Sequence, residues 1–219
     1  MPSPSRFDLV TVDLDGTLLP DDTAFAAVLR GAGRGDDVAD SDRRFFAGEI
    51  TLEECFWEQW AWVQELSLQA CHRHLRAAAW LPGIAEGVRA LKAAGLEVRL
   101  LTDQPSSLAE FAGRWGFAPP LCSPVEVDEG RQVAVEARFD KWANLREHLE
   151  SHGVDPARVA HVGNGSNDVP VWEHTGAGVA VFAEPDVAAA ATVDLGRPEG
   201  FDAVTAAVLE LAGADQASS

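Results

Sequence analysis

The chain has no run of about 18 apolar residues, so no membrane-spanning helix is expected. Its first six residues, Met1 to Arg6, lack the apolar core of a secretory signal, which points to a cytoplasmic protein with no membrane partner. Cysteine is scarce and odd in number. Cys55, Cys71 and Cys122 have no close ligand spacing, which excludes a disulfide framework or a zinc cluster and leaves reduced, mostly buried thiols. Basic residues are few, 17 against 35 acidic, for a net charge of −18. No basic patch survives that balance, so nucleic acid is excluded as a partner. A small anionic substrate is compatible with it only if a metal and a local lysine reverse the field in a cleft; otherwise the acidity serves to keep the surface soluble.

What is present suits one α/β domain with a modest insertion: 219 residues, 47% of them hydrophobic. Phe7, Leu9, Val10 and Val12 form an apolar, largely β-branched run that reads as a buried strand. It ends in Asp13 and Asp15, followed by Gly16 and Thr17. Acids that end a strand just before a glycine turn lie at the carboxyl edge of a sheet, where open α/β sheets bind ligands. Two neighbouring carboxylates repel, and a divalent cation or a proton must neutralise one of them. Taken alone, the same residues also suit a solvated turn.

Between Pro20 and Pro82 there is no proline and the apolar spacing becomes helical. Asp22 or Thr23 can cap a helix through Ala24–Arg30, Asp40 or Ser41 a short one through Phe46, and Ser67 a run to about Ala79. Thr51 with Glu54 makes a capping box. Residues 20–80 therefore read as an all-helical insertion. Trp57, Trp60, Trp62 and Trp80 are dense here, as an aromatic wall over a substrate or as the core of a small bundle. The chain then returns to α/β order. A helix from Ile84 precedes a strand Leu96–Leu101 ending in Thr102-Asp103, with a further helix from about Pro105. An amphipathic segment spans Leu108–Phe117, and Leu121–Ser123 is a short strand. Val125–Val127 and Val133–Val135 read as a β-hairpin. Lys141 opens a helix, and Val159–Val162 is a strand before Gly163-Asn164-Gly165-Ser166-Asn167-Asp168. A helix at Val169–Glu173, strands at Val179–Phe182 and Val193–Leu195, a helix Phe201–Leu211 and a frayed tail Gly213–Ser219 complete the chain.

Asp-Leu-Asp-Gly-Thr-Leu after an apolar strand resembles the first signature of the haloacid dehalogenase superfamily of phosphohydrolases. Thr102, Lys141 and the Gly163–Asp168 loop resemble its second, third and fourth motifs, in the family's order, and Lys141 stands 23 residues ahead of Asn164. The resemblance implies a doubly wound, mostly parallel Rossmann-like α/β core from residues 1–19 and 81–219, with residues 20–80 as a helical cap. It implies a phosphatase in which Asp13 attacks phosphorus, Asp15 is acid and base, and Thr102 and Lys141 hold the phosphoryl oxygens. Mg²⁺ would bind through Asp13, Asp15, Asn164 and Asp168, and the substrate, a small phosphate ester, near Gly16, Asp22, Trp57, Gln59, Asp103 and Asn167. The spacing looks like the phosphoserine phosphatase branch, and a monomer or homodimer is expected. Two departures stand out. Asn164 replaces the family's first loop acid, which should lower metal affinity. An Asp at 22 and the lack of an arginine near Gln59 argue against phosphoserine as the main substrate. A phosphotransferase and a non-catalytic binding protein are the alternatives.

Overall fold

Leu9, Val10, Thr11 and Val12 are all buried, so the first strand has no solvated face, as expected in the middle of a parallel sheet. The structure, a computed structural model that describes residues 5–213, puts it there. In chain order the elements are β1 (Leu9–Val12), α1 (Ala24–Gly31), α2 (Gly35–Phe46), α3 (Leu52–Val63), α4 (Leu68–Arg76), α5 (Ile84–Ala93), β2 (Glu97–Pro105), α6 (Ser106–Ala109), β3 (Ala118–Ser123), β4 (Val125–Asp128), β5 (Arg131–Val135), α7 (Lys141–His152), β6 (Val159–Gly163), α8 (Val169–His174), β7 (Ala177–Ala180), α9 (Pro185–Ala188), β8 (Val193–Asp194) and α10 (Phe201–Gly213). Six strands form a parallel sheet in the order β3-β2-β1-β6-β7-β8, and β4 with β5 makes a separate antiparallel hairpin. This is the doubly wound order, with its reversal between β1 and β6. There the two strand ends are tied together by the Asp13 N–H, which donates to the Val162 carbonyl at 2.8 Å.

Three of the four inserted helices start where their caps predict. Thr23, Thr51 and Ser67 each accept a backbone N–H from the first turn, and Glu54 completes the box with Thr51. The second helix begins at Gly35, ahead of the expected Asp40 or Ser41. Asp36 and Asp37 fill its first turn and Arg43 and Arg44 its last, which suits the helix dipole. Asp40 is instead an interior partner of Arg43 (2.8 Å) and Arg44 (3.2 Å). Phe25, Val28, Phe56, Trp60 and Leu75 join the apolar cluster that contains Val10, Val12 and Leu100. Phe56 meets Phe25 and Phe139 edge-on, with centroids 5.4 and 5.2 Å apart. Burying each such side chain contributes about 1.5–3 kcal/mol, so the inserted helices are fastened to the sheet domain through its apolar interior.

Three elements depart from expectation. β2 runs on to Pro105, with irregular register against β3, so Thr102 and Asp103 lie within it. The 108–117 segment divides into α6 and a 3₁₀ stretch, Glu110–Trp115. β7 stops at Ala180, since Phe182 has φ = 53°, a left-handed conformation no strand accommodates. The hairpin turn uses Glu129 and Gly130, both at positive φ, as the right-handed twist of its strands demands. Of the expected frayed tail, Gly213–Ser219, Gly213 ends α10 and residues 214–219 lie outside the described residues. Among the described residues no helix is long and apolar enough to cross a membrane.

Candidate active site

Asp13 leaves β1 at the sheet's point of reversal with only 4% of its surface exposed. Its Oδ1 accepts from Lys141 Nζ at 2.8 Å, and the same ammonium donates to Asp168 Oδ1 at 2.7 Å. Lys141 reaches this position because Asp140, just before it, caps α7 by accepting from the Ala143 N–H. Asp168 is completely buried and receives four bonds. His161 Nε2 shares Oδ1 at 2.9 Å, and the Asn164 and Gly165 N–H groups donate to Oδ2, both at 2.9 Å. The loop after β6 is therefore wrapped around this carboxylate.

Asp15 accepts from the Ala24 N–H at 2.8 Å through Oδ1 and from Gln104 Nε2 at 2.5 Å through Oδ2. It thus joins the first inserted helix to the end of β2. Gly16 has φ = 71°, and a Cβ there would lie 2.1 Å from Asn164 Nδ2, so only glycine permits the two loops to meet. Thr17 Oγ1 donates to Asn164 Oδ1 at 3.3 Å. On the other side, Thr102 is buried and its hydroxyl accepts from the Gln104 N–H at 3.3 Å. Asp103 Oδ2 accepts from Asn167 Nδ2 at 2.9 Å, while Asp103 Oδ1 and Gln104 Oε1 are buried and have no partner among the described residues.

Asp13, Asp15, Asp103 and Asp168 thus face one ammonium, that of Lys141. Burial pushes the Asp15 carboxyl up to about 7, against the pull of the Ala24 N–H and Gln104. Burial likewise raises Asp103 to about 6, with Lys141 opposing. Asp13 is raised well above the carboxylate range by burial and by its acidic neighbours, despite Lys141. Burial disfavours charge on Asp168 too, but Lys141 and His161 outweigh it and hold that group below its ordinary value. For Lys141, burial is overcome by Asp13, Asp168 and Asp103, and the ammonium stays protonated.

A cluster with more carboxylate than cation fits a divalent ion. The oxygens of Asp13, the Asp15 backbone and Asn164 are hard donors of the type Mg²⁺ takes. Among the described residues no three acidic, histidine or cysteine side chains form a ready cage, in keeping with an amide at position 164. Asp168, expected from sequence as a ligand, accepts hydrogen bonds through both oxygens and holds the loop after β6.

Of the expected site residues, the structure brings together Asp13, Asp15, Gly16, Lys141, Asn164 and Asp168, with Thr102, Asp103 and Asn167 at the neighbouring end of β2, which Gln104 joins to Asp15. Asp22 lies beside Gly16, whose N–H donates to its carbonyl at 2.9 Å, and its carboxylate pairs with Arg30. Gln59 is buried within the inserted helices, its amide donating to Asp42 Oδ1 at 2.7 Å and Cys55 Sγ at 3.3 Å. Trp57 is 41% exposed with its indole N–H on Glu53. Neither contacts the acids among the described residues, since Gln59 is spent on its own bundle and Trp57 faces outward. Two residues were missed. His161 stood as a polar side chain in an apolar run, a signal that was there to read. Gln104 fell beyond the expected end of β2 and carried none.

A family model described as haloacid dehalogenase-like hydrolase matches residues 10–173. A phosphoserine phosphatase of Halobacterium salinarum is 29% identical over 186 residues, 82% of this chain and 88% of that protein. One of Archaeoglobus fulgidus is 26% identical over 182 residues, 80% of this chain; the match covers 53% of that relative, so this chain spans about half its length. In fold, the chain is similar to a solved phosphoserine phosphatase described as a phospho-aspartyl intermediate analogue, with a TM-score of 0.74 over 92% of this chain and 99% of that one at 16% identity. With the motifs converging on one end of the sheet and the family model matching residues 10–173, the chain belongs to the haloacid dehalogenase-like hydrolases.

Proposed function

We propose that this chain is a Mg²⁺-dependent phosphatase that hydrolyses a small phosphate monoester through an aspartyl-phosphate. The observation that carries the reading is the pairing of buried Asp13 with Lys141, beside an Asp15 whose carboxyl is raised to about 7. Asp13 Oδ attacks phosphorus, the ester P–O bond breaks, and the Asp15 carboxyl gives its proton to the leaving oxygen. The Asp15 carboxylate then takes a proton from the water that attacks phosphorus, which frees phosphate and restores Asp13. A carboxyl that titrates near neutrality serves both halves. Lys141 and the Thr102 hydroxyl hold the phosphoryl oxygens, and charge neutralisation supplies much of the acceleration. Mg²⁺, held by Asp13, the Asp15 carbonyl and Asn164, would neutralise phosphoryl charge and keep Asp13 ionised.

The leaving group we infer is not serine. Gln59 is buried and occupied, and the Asp22 carboxylate is already matched by Arg30, so an amino acid's carboxylate gains no free arginine from these positions. Hydrolysis of an aryl phosphate by the purified chain, with Mg²⁺ and with chelator, tests the reading, followed by a panel that includes phosphoserine. Turnover that vanishes with chelator is the expected result. Mg²⁺-independent turnover contradicts the cofactor, and phosphoserine as the best ester contradicts the specificity. Release of the aryl alcohol only when a second hydroxyl compound is present, with the phosphoryl group on that compound and none freed as phosphate, identifies a transferase.

A further inference from the structure

His161 has no part in the steps above. It stands in the middle of β6 between Ala160 and Val162, with no exposed surface, where a parallel strand ordinarily carries an aliphatic side chain. An imidazole buried there costs free energy unless its nitrogens are bonded, and both are. Nε2 lies 2.9 Å from Asp168 Oδ1, and Nδ1 lies 2.9 Å from Thr11 Oγ1 on the adjacent strand, directly opposite in register. An ionised carboxylate only accepts, so a proton is on Nε2; complete burial disfavours a charged ring, and in the neutral ring Nδ1 is an acceptor to which the Thr11 hydroxyl donates. The bonds from Thr11 through His161 to Asp168 therefore all run in one direction.

Asp168 Oδ1 is shared between His161 and Lys141, and Lys141 is in turn shared between Asp168 and Asp13. We propose that His161, fixed in one tautomer by Thr11, is a positioning residue that keeps Lys141 divided between the two carboxylates and the Gly163–Asp168 loop in place. The functional part rests on the phosphatase reading. A hydrogen bond to Oδ1 takes up part of its charge, so the ammonium is not drawn wholly onto Asp168 and stays beside Asp13. Without it, Oδ1 keeps Lys141 as its only partner, and the ammonium moves away from where phosphoryl oxygens bind. The loop is affected as well, because the carboxylate that loses its His161 bond is the one receiving the Asn164 and Gly165 N–H groups.

The test compares wild type with His161→Leu, which removes the donor, and His161→Gln, whose amide restores an N–H near the Nε2 position. Steady-state kinetics on an aryl phosphate at saturating Mg²⁺ is measured alongside amide exchange of Asn164 and Gly165. His161→Leu is expected to lose about 10- to 100-fold in kcat, as with other buried partners that orient a reacting group. Its KM should stay within about threefold, because the loss falls on the transition state, and both amides should exchange faster. His161→Gln should recover most of kcat and the slow exchange. Wild-type kcat and exchange in His161→Leu, or a His161→Gln no better than His161→Leu, overturns the proposal. If His161→Leu does not fold, ¹⁵N spectra of the wild-type imidazole decide. The signal that disappears in His161→Gln must belong to a neutral ring protonated on Nε2, and a proton on Nδ1 contradicts the proposal. If wild type turns over no phosphate ester, the phosphatase reading fails, while exchange and tautomer still test the hold of His161 on the loop.

Discussion

Lys141 Nζ sits between two buried carboxylates, 2.8 Å from Asp13 Oδ1 and 2.7 Å from Asp168 Oδ1, and its side chain is only 2% exposed. One acid belongs to the first motif and the other to the fourth, so the lysine joins strands β1 and β6 as well as balancing charge. Lys141→Met leaves both acids without their cation. At pH 8 the variant should lose about 3–5 kcal/mol of stability, the cost of an uncompensated buried charge, and activity should fall about 100- to 1,000-fold. At lower pH much of the stability loss should disappear as Asp13, whose carboxyl burial raises, takes up a proton. Urea unfolding at both pH values checks this, and a loss independent of pH contradicts it.

Gly16→Ala tests the contact between the first and fourth loops. Its φ of 71° strains any other residue, and its Cβ would lie 2.1 Å from Asn164 Nδ2. A loss of about 1–3 kcal/mol is expected from backbone strain alone. Displacement of Asn164 should also raise the Mg²⁺ concentration needed for half-maximal activity. Unfolding and a metal titration separate the two effects, and an unchanged Mg²⁺ requirement would show that Asn164 is no ligand.

Asn164→Asp gives the proposed Mg²⁺-binding oxygen at this position a negative charge. The Thr17 hydroxyl, now 3.3 Å from Asn164 Oδ1, can donate to a carboxylate equally well. Half-saturating Mg²⁺ should fall by about tenfold, because ligand charge sets affinity for a hard cation. Calorimetric titration with Mg²⁺ measures it directly, and equal affinity in the two proteins contradicts the assignment.

The metal-free protein should have a stability profile set by its raised acids. Asp15 titrates near 7 and Asp103 near 6 when folded, against about 3.9 in the unfolded chain. Between those values the folded state holds more protons than the unfolded one, so their contribution is largest at low pH and is lost as pH rises from about 4 to 7. Thermal midpoints in chelator should decline across that window, and Asp15→Asn should flatten the decline. A midpoint that rises over the same range contradicts the burial of these groups.

Much of this was legible before the structure. The apolar strands, the four motifs and the Thr51–Glu54 box are local patterns, and local patterns fix elements and their order. The motifs brought Lys141 and Asp13 to one site, although 128 positions of sequence order give no hint of a 2.8 Å contact. What failed was tertiary. Gln59 was placed near a substrate by its position in the chain, but helix packing turned it toward Asp42 and Cys55. The four donors on Asp168 were likewise invisible in sequence, because Lys141, His161 and the loop N–H groups meet it only in the fold. Gln104 could not be foreseen, because the end of β2 depends on its pairing with β3 and not on its own residues.

The central claim, a covalent phosphoryl group on Asp13, is tested most directly by rapid acid quench of the Mg²⁺-loaded enzyme with an aryl phosphate, followed by mass mapping. A single phosphoryl group on Asp13, formed and consumed at rates compatible with turnover and absent from Asp13→Asn, is the predicted result. Undiminished turnover in Asp13→Asn, or a phosphoryl group on another side chain, contradicts the account.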